Sequence, residues 1–390
     1  MIKKAIKILI LLILVLNIDG CWSRRELDTL ALVLGVAIDR SEQENKIDLT
    51  LQVANPKEEN DKGSGGGAGE SSDYLNLLQT ADTISQAYHN MVETSSRIPY
   101  NSHKEVMLFH YDLAKEGIEE YIDYFLRDVG SRLNTWLVIT RPKGSEVLEN
   151  KFELEPVPAL YISKMMVTQN KDSIAVACNI YDFIKGLDSN GIAVVPILNI
   201  VDDGKRKKTI IDGTAVFKGY KMIGELDKEQ TTGMQWVKNK ISGGLISIET
   251  DGGIVDFEIM GAKTKVSCRK DPEGNFVFNV HVIEESGLNA QNVPIDTTKP
   301  DTIIMLQNKK KEDIKKKIMD SLSAAKELNV DVFGFGELIA SKYKKDWQKL
   351  KDGWPHNFEG IKVDLKVDAF IRNVGGLSKP VKQKDGSNER

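Results

Sequence analysis

Cysteine is scarce in this chain: Cys21, Cys178 and Cys268 are its three among 390 residues. That excludes a disulfide scaffold, the device by which small secreted domains replace a core. Cys178 and Cys268 follow Ile-Ala-Val-Ala and Lys-Val-Ser, and read as inert core thiols. The five histidines, at 89, 103, 110, 281 and 356, form no His-Glu-x-x-His or other zinc spacing. His281, in Asn-Val-His-Val-Ile, reads as a sheet histidine. There is no Gly-x-Ser-x-Gly elbow and no cysteine set beside a base. Past the N-terminus no run of 18 apolar residues occurs, so no later segment is predicted to cross a membrane as a helix. An excess of one charge is lacking too. The formal net charge is −4, which argues against general nucleic-acid or anionic-lipid binding. Hydrophobic content of 41% and charged content of 28% describe an ordinary globular protein, with length for two to three domains.

What is present begins at the N-terminus. Lys3, Lys4 and Lys7 precede an apolar run from Ile8 to Leu16, then Asn17-Ile-Asp-Gly-Cys21. The run is too short to span a bilayer, which takes roughly 20 residues. It fits a cleaved signal segment over 1–20. Ile18 and Gly20 before Cys21 match a bacterial lipobox, although Asp19 is unusual beside the cut. In that chemistry the Cys21 thiol takes a diacylglyceryl group and becomes the first mature residue. Two or more acyl chains hold a protein stably, where one holds it marginally. The other reading is a secretory signal with a coincidental cysteine.

Along the chain, Ala31–Ile38 and Ile47–Ala54 read as strands, the second alternating at Ile47, Leu49, Leu51 and Val53. The stretch 63–69 is glycine-rich but lacks the Gly-Lys-Ser/Thr end of a P-loop, and reads as a flexible surface loop. Asp73 is positioned to cap a helix running to about Ser95, with Leu77, Leu78, Ala81, Ile84, Ala87, Tyr88 and Met91 on one face. Strands follow at Glu105–His110 and Trp136–Thr140, with a helix over Leu113–Arg127 between them. Residues 157–169 and 174–188 read as helices, and Ile192–Val201 as a strand. Beyond the charged turn 202–208 the pattern shifts to strands. Residues 245–250, 254–269 and 275–285 form an antiparallel meander. A long helix covers Thr302–Leu328, with Lys309–Lys311 and Lys315–Lys317 as a solvated basic face. A strand at Gly360–Arg372 closes the pattern. The expected fold class is α+β: a mixed α/β N-terminal region, then a C-terminal antiparallel sheet with a long helix. The expected division is a signal peptide at 1–20, an N-terminal region 21–203 with a sub-boundary near 150, a C-terminal domain 204–374, and a flexible tail 375–390.

No cofactor or metal site and no catalytic constellation is legible, so the chain is not read as an enzyme. Arg127, Asp128 and Arg132 are candidates for a polar patch that contacts a partner. The alternative for them is a helix C-terminal cluster with an internal ion pair. Phe333 and Phe335, between glycines, read as aromatics tucked into the core by a turn. Trp236, Trp347 and Trp354 read as core or interface anchors.

The start Cys21-Trp-Ser-Arg-Arg-Glu-Leu27 with Leu34-Gly-Val-Ala-Ile-Asp39 resembles that of mature Ger(x)C-family spore germination lipoproteins. The resemblance continues at Arg127-Asp128 and Arg132, at Gly213-Thr-Ala-Val-Phe-Lys218 and Lys221-Met-Ile-Gly-Glu-Leu226. It ends through Gly233-Met-Gln-Trp236, Asp331-Val-Phe-Gly-Phe-Gly336, Trp347 and Trp354. These motifs keep the family's order over nearly the whole mature chain. The resemblance implies the C subunit of a GerA-type nutrient germinant receptor, non-enzymatic and held by diacylglyceryl-Cys21. It implies a place on the outer face of the spore inner membrane beside integral-membrane A and B subunits, and a role in germination triggered by small nutrients. A lipid-anchored solute-binding protein of a transporter is the other function that fits an anchored two-lobed chain.

Overall fold

The computed structural model describes Lys4, residues 27–55, and residues 72–373 apart from 129, 153, 174, 203, 205–206, 294, 298, 355–357 and 359. Cys21, Trp22, the glycine-rich stretch 63–69, His356, the tail 375–390 and, Lys4 excepted, the signal segment 1–20 lie outside the described residues.

β1 (Leu30–Arg40) is apolar nearly throughout and sits in the middle of a nine-stranded sheet. β2 (Ile47–Ala54) lies antiparallel to it on one side, and β3 (Tyr74–Ala81) forms the edge beyond, antiparallel to β2. On the other side β5 (Val106–His110), β6 (Trp136–Thr140) and β7 (Ile192–Asp202) run parallel to β1. The short β4 (Ile98–Tyr100) also pairs parallel with β1. β8 (Lys207–Lys218) and β9 (Lys221–Leu226) close the far edge antiparallel. Continuous apolar runs are what a parallel sheet needs when helices cover both faces. Met107 and Phe109 meet the layer of α1 (Ile84–Thr94), α2 (Tyr111–Glu116), α3 (Glu119–Arg127) and α6 (Ile180–Asn190). Val106 and Leu108 meet α4 (Gly144–Glu149) and α5 (Pro158–Lys171).

α7 (Lys228–Val237) leads out of this sheet behind a capping box formed by Asp227 and Gln230. The second sheet holds β10 (Leu245–Thr250), β11 (Gly253–Lys270), β12 (Phe276–Gln291) and β13 (Lys362–Asn373) in that spatial order. One face packs on α7 and on α8 (Pro300–Glu327) through Phe257, Phe278, Val280, Ile314, Ile318 and Leu322. α9 (Phe335–Lys342) and α10 (Lys344–Leu350) precede β13.

The α+β class holds, and several expectations change in detail. Residues 74–81 are an edge strand, not the start of a helix. Pairing with β2 overrides their helical spacing, and the cap is Thr83 rather than Asp73. The helix expected over 113–127 is two, separated at Gly117. The second sheet is antiparallel only through β12; β13 runs parallel to it because α8 carries the chain back to the starting end. The expected boundary at 203/204 falls in the β7–β8 hairpin, and β8 and β9 belong to the first sheet. Around residue 150, α4 and α5 share one core cluster.

The solvated basic face of α8 is also corrected. Lys310 is wholly buried with Glu284, at 2.7 Å between Nζ and Oε2. Its ammonium also donates to Ser286 Oγ and to the Phe370 carbonyl at 3.3 Å, and lies 4.9 Å from the Phe257 ring centroid. Burial pushes the Glu284 carboxyl up and the Lys310 ammonium down, while their mutual attraction opposes both shifts.

Candidate partner-contact site

α1 and α3 lie over the same face of the first sheet, because each carries one apolar side. In α3 that side is Tyr121, Ile122 and Phe125, which leaves Asp123 and Arg127 facing outward. Thr83 caps α1 by accepting from Gln86 N at 3.2 Å. Between the helices runs a cleft of about 490 Å³ lined by Thr83, Ser85, Glu120, Asp123, Tyr124 and Arg127 among others. Tyr124 in its wall stacks on Tyr88 behind it, with ring centroids 5.6 Å apart.

A polar network leads from this cleft to the loops where the parallel strands begin. Tyr88 donates its hydroxyl to Asn101 Oδ1 at 2.7 Å, and Asn101 Nδ2 donates to Asp128 Oδ2 at 2.9 Å. Asp128 accepts further from Ser131 Oγ at 2.9 Å and Gly130 N at 3.0 Å. Burial opposes ionisation of the Asp128 carboxyl. The hydrogen bonds and the nearby Lys104 charge outweigh that, so it is held below the usual carboxylate value. Lys104 is itself buried, its Nζ 3.6 Å from the Phe125 ring centroid and 3.4 Å from Ser131 Oγ. Burial drives its pKa down to about 7, although the Asp128 charge pulls the other way.

The three candidate residues are thereby separated. Arg127 pairs with Asp123 one turn earlier, Nε to Oδ2 at 2.7 Å, on the exposed side of α3. Asp128 points inward to Asn101, Gly130 and Ser131 rather than to either arginine. The Arg132 side chain is exposed, and its carbonyl accepts from Thr135 Oγ1 at 2.9 Å. Tyr88, Asn101 and Lys104 were invisible to sequence reasoning, since nothing local to 88–104 points at residue 128.

A second constellation gathers the aromatic motif of the C-terminal half. The buried Asp331 carboxylate accepts from the backbone N–H of Phe333, Gly334, Phe335 and Gly336 at 2.6–3.2 Å, and from Trp354 Nε1 at 2.9 Å. Gly334 has φ +80°, a left-handed conformation that favours glycine. A Cβ at Gly336 would come within 2.6 Å of the Trp354 indole nitrogen. Phe333 and Phe335 are buried, and Phe335 stacks on Phe278 at 4.3 Å. Trp236 is buried in the same core, and Trp347 sits edge-on to Trp354 at 5.9 Å. This loop is core architecture: its carboxylate accepts five hydrogen bonds inside the protein.

Residues 23–200 match the family model described as spore germination protein N-terminal domain, and residues 212–375 match that described as spore germination B3/GerAC like, C-terminal. The chain belongs to the GerAC family of spore germination proteins. It is similar to spore germination protein KC of Bacillus subtilis (strain 168), at 27% identity over 404 residues covering 98% of each chain. Spore germination protein B3 of the same organism is 24% identical, over 97% of this chain and all of that one. The crystal structure of the GerBC protein shares the fold, with TM-score 0.58 at 18% identity, over 87% of this chain and 97% of that one. In this GerAC-family chain the two matched segments meet at the β7–β8 hairpin, inside the first sheet.

Proposed function

We propose that this chain is the lipid-anchored C subunit of a nutrient germinant receptor, required for spores to germinate on small nutrients, and that it acts by contact rather than catalysis. The observation that carries the reading is the match, over essentially the full length of both chains, to relatives named as spore germination proteins. The placing of Cys21 behind a basic, apolar leader supports the anchor. In this reading diacylglyceryl-Cys21 tethers the chain to the outer face of the spore inner membrane, beside integral-membrane A and B subunits. Arg127 and Arg132 offer charge to a partner, and Asp128 sets the loop that presents them. The family-matched segments, 23–200 and 212–375, support a division of the sequence near 203/204, within the first sheet.

The test is to fractionate spores carrying wild-type or Cys21→Ala protein, blot the inner-membrane fraction, and score nutrient-triggered germination. Loss of the variant from the membrane together with loss of germination is the expected result. Wild-type protein absent from spores but present in growing cells overturns the receptor reading and favours a solute-binding lipoprotein.

A further inference from the structure

β1, β4, β5, β6 and β7 are mutually parallel, so all five begin at one end of the first sheet. The loops of that end are tied together. Ser102 Oγ donates to the Gly130 carbonyl at 2.9 Å, and Tyr181 N donates to the Leu133 carbonyl at 3.0 Å. Ile98 pairs in register with Leu30. α1 and α3 both finish here. The end exposes several large apolar side chains: Val92 at 43%, Ile98 at 52%, Leu126 at 40%, Leu133 at 45% and Tyr181 at 55%. Arg97, Arg127 and Arg132 stand among them, and Glu93 and Asp182 make the local charge mixed.

The N-terminal chain enters at this same end, through the turn Leu27–Thr29 that leads into Leu30. Cys21 and Leu27 are six steps of chain apart, a reach of roughly 20 Å at full extension. The opposite end lies one strand length further, roughly 35 Å for the 11 residues of β1. There Leu154 stands 86% exposed, near the start of β8.

We infer that the end of the first sheet where the parallel strands begin is a membrane-apposed face. Ile98, Leu133, Leu126 and Tyr181 enter the headgroup region, and Arg97 meets lipid phosphates, while Arg127 and Arg132 at the rim stay open to the partner subunits. The inference rests on the proposed acylation of Cys21, which fixes which end is brought to the bilayer. The apolar side chains then add a second membrane contact to the acyl one, and tyrosine suits an interface where one end of the ring is wet. Arginine binds phosphate through a planar fork of donors. The acidic net charge of the chain is no obstacle, because the lipid tether supplies the attraction and the contact is local.

The test uses the full acylated chain with single added cysteines, Ile98→Cys, Leu133→Cys, Tyr181→Cys or Leu154→Cys, each labelled with a fluorophore. Cys178 and Cys268 are buried and stay unlabelled. The protein is reconstituted into phosphatidylethanolamine–phosphatidylglycerol vesicles containing a brominated lipid. The mass of the N-terminal peptide reports acylation independently. Quenching several-fold stronger at 98, 133 and 181 than at 154 is expected. An acylated chain with equal quenching at all four positions, with more at 154, or with none overturns the face and leaves the anchor standing. A graded pattern on an unacylated chain keeps the face and removes the anchor. Positions unquenched in vesicles, yet shielded from a water-soluble thiol reagent in spore membranes, assign the end to a protein partner and overturn the lipid contact.

Discussion

In the first sheet β5 and β6 bury four of their five side chains each, whereas β13 in the second sheet buries Val367 and Ala369 and leaves its other ten partly or wholly exposed. The difference follows from coverage. Helices close both faces of the first sheet, but α7 and α8 close only one face of the second. The first sheet can therefore meet other molecules at its ends and edges, while the second keeps an open face carrying Met260, Ile283, His281 and Asp368. Charge is buried differently as well. The first sheet buries Lys104 against an aromatic ring and the Ser131 hydroxyl, with no direct carboxylate contact, and the second buries a direct Lys310–Glu284 pair.

The largest effect should come from splitting that pair. Glu284→Ala leaves a buried ammonium without its carboxylate and should cost about 3–5 kcal/mol in denaturant unfolding. Replacing both partners, as Glu284→Leu with Lys310→Met, should recover most of the loss. A cost for Glu284→Ala below about 1 kcal/mol would show that the pair is hydrated rather than buried.

Lys104 provides the corresponding probe in the first sheet. Its folded pKa of about 7 lies below the ordinary 10.5, so between those values the unfolded chain binds a proton that the folded chain does not. Stability attributable to this group therefore rises with pH from about 7 towards 10.5 and is flat below about 7. Between pH 7 and 9 the gain should be about 2 kcal/mol, and Lys104→Met should lack that slope. Parallel pH dependence in wild type and variant would place the ammonium in water.

The smallest effect tests coverage alone. Ile139→Val, in the enclosed sheet, should cost about 1 kcal/mol. Ile283→Val, on the open face, should cost less than about 0.5 kcal/mol. Equal costs would mean that the outer face of the second sheet is covered by something.

Much of this arrangement was legible. Ala31–Ile38, Glu105–His110, Trp136–Thr140 and Ile192–Val201 are apolar runs of strand length, and they became β1, β5, β6 and β7. β3 was not legible, because Leu77, Leu78 and Ala81 fall at helical spacing and only pairing with β2 makes them an edge strand. Lys310 looked solvated inside Lys309–Lys311. The helix phase did hold the signal: Leu306, Ile314, Ile318 and Leu322 recur every four or eight residues, and position 310 completes their stripe. Asp128 depends on Asn101, 27 positions away, and no periodicity encodes such a bond.

The parallel seating of β13 has a consequence for how the chain assembles. It joins residues far apart in sequence; His281 and Asp368, bonded at 2.8 Å, are 87 positions apart. Contacts of such separation form late, since a long loop must close before they return anything. On a ribosome β10 to β12 emerge first as a meander, and the last edge can dock only after α8 has folded back across them. Until then β12 presents an unpaired, strand-length template, so the interval before residue 373 leaves the exit tunnel is when this chain is most exposed to pairing with another copy of itself.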